Sequence, residues 1–192
     1  SDADGDTPSL SYAWTNSTTG STLATSSELT LTPTTSSPGD TITCSATATD
    51  ADGGTDSSSA SIIVDNTNPT FTSVTITPSS DVDTSTSLTC SAVATDDDGD
   101  TPEVSYAWTN ETEETALGTG PLVTLTATNS SPDDTIRCTA NATDSDGGSA
   151  TDSAQVTVDN TDPEIGTVTI SPSTDIDTAT ELTCTATATD AD

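Results

Sequence analysis

Histidine, lysine and methionine are absent from this chain, and its one basic side chain is Arg137. Against it stand 32 acidic residues, giving a formal net charge of −31. A chain of that sign repels nucleic acid and anionic membranes alike, so neither is an expected partner. Without histidine the usual general acid–base group is missing, and without lysine no nucleophile–base pair is at hand. A carboxylate pair can hydrolyse glycosides, but the acidic residues here gather in short loops and read as ligands. No enzyme is expected. Aromatic residues make up only 3% of the sequence. No apolar run approaches the ~18 residues of a membrane-spanning helix, so no direct membrane insertion is expected either. No signal peptide opens the chain; a secreted protein would therefore appear here in mature or fragment form.

What remains is a Ser/Thr-rich sequence whose composition borders on that of a disordered chain. The charge, however, sits in loops, and the segments between them alternate apolar and polar residues. A repeat organises them. Cys44 and Cys138, Cys90 and Cys184, and Trp14 and Trp108 all lie 94 positions apart, without a gap. Ser11–Asn16 recurs as Ser105–Asn110, and Val64-Asp65-Asn66-Thr67 as Val158-Asp159-Asn160-Thr161. Within one period the alternation predicts strands carrying Val74 and Ile76; Leu88, Cys90, Ala92 and Ala94; Val104, Tyr106 and Trp108; Val123 and Leu125; Ile136, Cys138, Ala140 and Ala142; and Ala154, Val156 and Val158. Pro78, Gly99, Pro102, Pro132 and Gly147-Gly148 punctuate them, and nothing reads as a helix. About seven short strands per period predict an all-β antiparallel sandwich.

The acidic loops carry the candidate chemistry. Asp96-Asp97-Asp98-Gly99-Asp100 packs four carboxylates into five positions around a glycine turn. Such carboxylates repel one another unless a cation lies between them, and Ca²⁺ takes six to eight oxygen ligands in flexible geometry. The stretch recurs as Asp2-Ala3-Asp4-Gly5-Asp6 and opens again at Asp190-Ala191-Asp192; related loops stand at Asp50–Gly54 and Asp144–Gly148.

The order Cys90, Trp108, Cys138 on the second, third and penultimate strands resembles the immunoglobulin fold. The resemblance implies a Cys90–Cys138 disulfide between sheets with Trp108 packed on it, and an oxidising compartment. Free buried thiols are the alternative. Ile136 stands where many immunoglobulin domains have the tyrosine-corner Tyr. The linkers Val64–Phe71 and Val158–Ile165 carry an Asp/Asn cluster, then Pro, one residue and an apolar residue. There the chain resembles cadherin repeats, whose linkers bind Ca²⁺ between domains, although cadherins lack this disulfide. The whole is most similar to tandem immunoglobulin-like, cadherin-like or PKD-like modules of large microbial surface proteins. In such a sandwich the loops after the second and penultimate strands share an end with the entering linker. Asp96, Asp98 and Asp100 are therefore expected to meet Asp144 and Asp146, with Asp65, Asn66 and Asn68 arriving from the linker and Asp152 within reach. Equivalent junctions would use Asp159, Asn160, Asp162, Asp190 and Asp192, and Asp2, Asp4, Asp6, Asp50, Asp52 and Asp56.

The expected domains are 1–67 (the C-terminal part of a module), 68–161 (a complete immunoglobulin-like module) and 162–192 (the first two strands of the next). A complete module spans roughly 35–45 Å, so Cys44 and Cys184 are not expected to pair within one chain. They would pair head-to-tail between neighbouring copies, each half module completed by the next. Asn16, Asn110, Asn129 and Asn141 begin Asn-x-Ser/Thr triplets, possible glycosylation sites. The function implied is an extracellular, cell-surface structural or adhesive repeat protein forming a Ca²⁺-stiffened rod or filament. Surface glycans or other cells are the further partners implied. The alternative is a glycan- or protein-binding accessory module of a larger secreted protein.

Overall fold

The computed structural model describes residues 5, 7–190 and 192; Asp2, Asp4 and Asp6 of the first acidic loop lie outside the described residues. Every regular element described is a strand: β1 (Ser9–Asn16), β2 (Ser21–Ala24), β3 (Thr41–Thr49), β4 (Thr55–Ile63), β5 (Thr70–Thr77), β6 (Ser87–Thr95), β7 (Glu103–Asn110), β8 (Thr115–Thr119), β9 (Leu122–Thr124), β10 (Thr135–Thr143), β11 (Ser149–Thr157), β12 (Glu164–Ser171) and β13 (Thr183–Thr189). Abundant threonine suits these extended backbones, and Gly/Asp/Pro turns end them. The chain divides into two compact units. One holds Ser1–Phe71, Ala94–Glu103 and Ala142–Ala150; the other holds Thr72–Val93, Val104–Asn141 and Thr151–Asp192.

In the first unit lies a four-stranded sheet of order β2-β1-β3-β4. Its antiparallel ladders are long: β3 pairs β4 from Thr41↔Ile63 to Thr49↔Thr55, and β1 pairs β3 from Ser9↔Thr49 to Asn16↔Ile42. The tips of the central strands and the acidic loops after β6 and β10 belong to this unit as well.

The body of the sandwich lies in the second unit, built from sheets β11-β10-β7-β8 and β5-β6-β9. Their inner faces share one core: Ile76, Val82, Leu88, Cys90, Trp108, Val123, Leu125, Ile136, Cys138, Val156 and Val158. Period-two alternation is plain on β10, where Ile136, Cys138, Ala140 and Ala142 are buried and the residues between them are half-exposed. Each Ile, Leu or Val so buried contributes about 1.5–3 kcal/mol. The alanine positions contribute less, so the Cys90–Cys138 disulfide between β6 and β10 matters to this core. Its Cα atoms are 6.3 Å apart. The molecule is thus an all-β, antiparallel sandwich with three strands facing four, the immunoglobulin-like arrangement. Leu125 and Val158, expected on strands, lie just past β9 and β11 and still fill the core. β8 was not legible in the alternation. The same unit also contains the β12–β13 hairpin, which pairs from Glu164↔Thr189 to Ser171↔Thr183.

The 94-residue repeat extends to individual hydrogen bonds. β1 steps past β2 with a bulge between Trp14 and Thr15, and β7 past β8 with one between Trp108 and Thr109. Trp14 Nε1 donates to Ser26 O, and Trp108 Nε1 to Gly120 O, each at 3.0 Å. Asn16 Nδ2 donates to Asp40 Oδ2, and Asn110 Nδ2 to Asp134 Oδ2, each at 2.6 Å.

Candidate cation junction

The linker after β4 and the loops after β6 and β10 come together within the first unit. In the loop after β6, Asp96 Oδ1 accepts the Asp98 amide at 2.8 Å. Gly99 turns the chain with φ of 91°, a conformation that costs glycine nothing. In the loop after β10, Asp144 Oδ1 accepts the amides of Asp146 (2.9 Å) and Gly148 (2.7 Å). The linker then ties onto both loops. Asn66 Nδ2 donates to Asp144 Oδ2 at 3.1 Å, across 78 residues of sequence. Thr67 donates both its amide and its hydroxyl to Asp98 Oδ2 at 2.7 Å, across 31 residues. Ser145 Oγ donates to Asp100 Oδ2 at 2.7 Å.

The electrostatics divide the carboxylates. The Asn66 amide, with the loop's own amides, holds Asp144 below its ordinary pKa of 3.8. Asp146 is pushed up from 3.8, first by desolvation and then by the nearby charge of Asp100. At this junction two oxygens, Asn66 Oδ1 and Asp96 Oδ2, are buried without a hydrogen-bond partner. A Cβ at Gly148 would fall among Asp144 Oδ2, Asn68 Oδ1 at 2.6 Å and Asn66 Nδ2 at 2.8 Å, so glycine leaves a polar cradle open there. Among the described residues, no three Asp, Glu, His or Cys side chains already stand in metal-holding geometry. Carboxylate and amide oxygens such as these are the ligand type that a hard cation such as Ca²⁺ takes.

Of the expected set, the structure brings together Asn66, Asn68, Asp96, Asp98, Asp100, Asp144 and Asp146. Asp65 is exposed beside them. Asp152 accepts the amide of its neighbour Ser153 at 2.8 Å, and Asp56 that of Ser57 at 2.9 Å, each on an exposed strand position. Thr67 and Ser145 were missed as site residues; Thr67 stood inside the repeated linker string.

In the second unit part of the pattern recurs. Thr161 N donates to Asp192 Oδ2 at 2.9 Å, Thr84 Oγ1 to Asp192 Oδ1 at 3.4 Å, and Asp192 N to Asp190 Oδ1 at 3.3 Å. Asp159 N donates to Val82 O at 2.6 Å, and Asn160 Nδ2 to Thr161 O at 2.9 Å; Asp162 is exposed. The loop at Asp50 repeats the geometry at Asp144: Asp50 Oδ1 accepts the amides of Asp52 (3.0 Å) and Gly54 (2.7 Å).

Two of the expected glycosylation positions need correcting. Asn16 and Asn110 are buried, and each side-chain amide is spent on a buried carboxylate and a backbone carbonyl. Neither nitrogen is free to carry a sugar in this structure. Asn129 and Asn141 are half-exposed. Cys44 and Cys184 are both free thiols, half-buried and exposed respectively.

No protein-family model matches the chain, and no curated protein matches it. Among solved structures, the fibronectin(III)-like modules of Clostridium thermocellum CbhA are similar at 15% identity, over 83% of this chain and 82% of that one. The TM-score of 0.33 is too low to carry any argument from that likeness.

Proposed function

We propose that the chain is an extracellular structural or adhesive repeat protein, built of immunoglobulin-like modules whose junctions are stiffened by Ca²⁺. The observation that carries this reading is the junction at which Asn66 and Thr67 reach Asp144 and Asp98. Asn66 Oδ1 and Asp96 Oδ2 are left unpaired there, and Asp100 lies against Asp146. Asn66, Asn68, Asp96, Asp98, Asp100, Asp144 and Asp146 would hold the ion. Bound Ca²⁺ supplies the positive charge that neutralises this cluster. The residues themselves do the positioning: the turns at Asp96 and Asp144 each hold one carboxylate oxygen on the loop's own amides, and the linker bonds tie Asn66 and Thr67 to the two loops. The disulfide supports an oxidising, extracellular setting. Surface glycans or other cells would be the adhesion partners.

A melt with and without chelator tests this. Extracellular sites bind Ca²⁺ at ~0.1–1 mM, and free ion at ~100 times the dissociation constant adds about 2.7 kcal/mol per site. Ca²⁺, but not Mg²⁺ at equal concentration, is expected to raise the melting temperature and lengthen the scattering-derived maximum dimension. Identical melts and lengths in Ca²⁺ and EDTA would sink the reading.

A further inference from the structure

We propose that the open edge of β7, at residues 104–106, is a docking site for an extended peptide segment that carries basic residues and no acidic ones, and that adds to the sheet as a further strand. The edge belongs to the complete sandwich of β5–β11. In sheet β11-β10-β7-β8, β10 lies on one side of β7 and β8 on the other. β8 covers only half of that second side: it pairs from Ala107↔Thr119 to Asn110↔Thr115 and stops. Among the described residues, no strand takes over beside Val104.

Local chemistry ends the ladder there. Gly120 N still donates to Tyr106 O at 3.0 Å, but Gly120 O is turned to Trp108 Nε1, also at 3.0 Å. Pro121 follows. It has no N–H to give, and its carbonyl accepts Cys90 N at 2.8 Å on β6, in the other sheet. The chain thus leaves β7 at Gly120. Along a strand, the backbone groups of alternate residues face the same neighbour. Tyr106 O faces the β8 side, so the N–H and C=O of Val104 face that side too, where no strand meets them. Val104-Ser105-Tyr106-Ala107 has none of the charges or prolines that usually blunt such an edge.

A cavity of about 680 Å³ lies along this edge, walled by Val104, Tyr106, Ala107, Gly120, Pro121 and Thr139 among others, and no charged side chain lines it. Val104 and Tyr106 are half-buried, with Tyr106 packed against the core, while Ala107 and Pro121 are exposed. These features select the occupant. An N–H and a C=O on one residue of an extended edge are met by the C=O and N–H of another extended chain, the pairing of strand addition. A sugar offers no such repeat. The uncharged wall takes apolar or hydroxyl side chains from the peptide. The sign of the flanking residues follows from the protein's net charge of −31, which attracts a basic peptide and repels an acidic one or a second copy. The site lies in the second unit and shares no residue with the cation junction.

The test uses the whole chain in EDTA, which separates this contact from the calcium reading. The probe is the blocked peptide acetyl-Lys-Thr-Val-Thr-Val-Thr-Lys-amide, titrated at low salt and at about 0.5 M salt, where the Debye length is only a few Å. Amide NMR shifts and hydrogen exchange read the binding. The expected result is saturable shifts centred on Val104, Ser105, Tyr106 and Ala107, with slower exchange of the Val104 amide. The same peptide N-methylated at its central amides loses the strand bonds and is expected to bind about tenfold more weakly or worse. A peptide with Glu for both Lys is expected to bind about tenfold more weakly at low salt, the gap closing at high salt. Ala107→Trp, at an exposed position in the wall, is expected to weaken binding without changing the central sandwich's melt. The N-methylated peptide decides the matter even if that variant does not fold. Overturning results are equal binding by the N-methylated peptide, equal binding by the acidic peptide at low salt, shifts centred elsewhere, or no saturable shift at millimolar peptide. The proposal also fails if a glucan oligosaccharide, or a rise in protein concentration alone, moves the same amides.

Discussion

Asn110 is a buried polar residue at the end of β7, and its removal should be costly in a way that can be calculated. Its side chain is fully buried and makes four hydrogen bonds. Nδ2 donates to Asp134 Oδ2 at 2.6 Å and to Asn129 O at 3.3 Å; Oδ1 accepts the amides of Thr112 at 3.1 Å and Glu113 at 3.2 Å. The bond to a buried carboxylate is worth about 1.5–3 kcal/mol, and the three neutral ones roughly 0.5–1 kcal/mol each, part of which water restores at the two amides. Asn110→Ala should therefore destabilise the central sandwich by about 3–4 kcal/mol. With a urea slope of ~1.5 kcal/mol/M, the unfolding midpoint drops by about 2 M. Asp134→Ala loses the same bond and that from Ser131 N at 2.8 Å, and should cost about 2–4 kcal/mol. The double variant should cost about 2 kcal/mol less than the two singles together, because both remove one shared bond. Urea titrations in a Trp14→Phe background leave Trp108, buried in this core, to report the transition. Single costs below about 1 kcal/mol, or additivity within ~0.5 kcal/mol, would refute the reasoning.

Asp146→Asn removes one of two carboxylates held together at the junction, so it should raise the melting temperature in EDTA and shrink the further rise on adding Ca²⁺; a lower melting temperature in EDTA would count against the repulsion described. Asp83 is held below its ordinary 3.8, first by the Ser85 hydroxyl, then by the Ser85 amide and the Thr86 hydroxyl. A depressed carboxylate stabilises the fold above its unfolded pKa and loses that contribution as pH falls through the folded value. Asp83→Asn should thus be destabilising at pH 7 by denaturant titration, with the gap to the parent closing as pH drops below 3.8; a gap independent of pH would exclude the charge as its source. Cys90 and Cys138 enclose 48 residues, and the chain-entropy relation gives about 4 kcal/mol for that loop. The Cys90→Ala/Cys138→Ala variant should lose about that much in urea, and a loss under about 1 kcal/mol would mean the core holds without the bond.

The sequence by itself determined the repeat and most of the strands, because each depends on short-range pattern, while the pairing of Cys90 with Cys138 was implied by the immunoglobulin resemblance and is made by the fold. Period-two alternation places Ile136, Cys138, Ala140 and Ala142 on one face whatever lies opposite. The acidic turns were equally legible, since Asp96 and Asp144 close them with their own carboxylates two and four residues on. Only the tertiary structure decided which acidic groups meet. Asn66 reaches Asp144 and Thr67 reaches Asp98, while Asp56 and Asp152 turn to their own neighbours on exposed strands. The sequons show the same division. Asn16 and Asn129 both begin an Asn-x-Ser/Thr triplet, yet Asn16 is locked onto a buried carboxylate and Asn129 is half-exposed. A triplet records local chemistry, whereas burial depends on which strand folds over it. Ile76 and Ile170 make the point with like side chains at equivalent positions: one lies in the shared core of the two sheets, and the other is 56% exposed on β12.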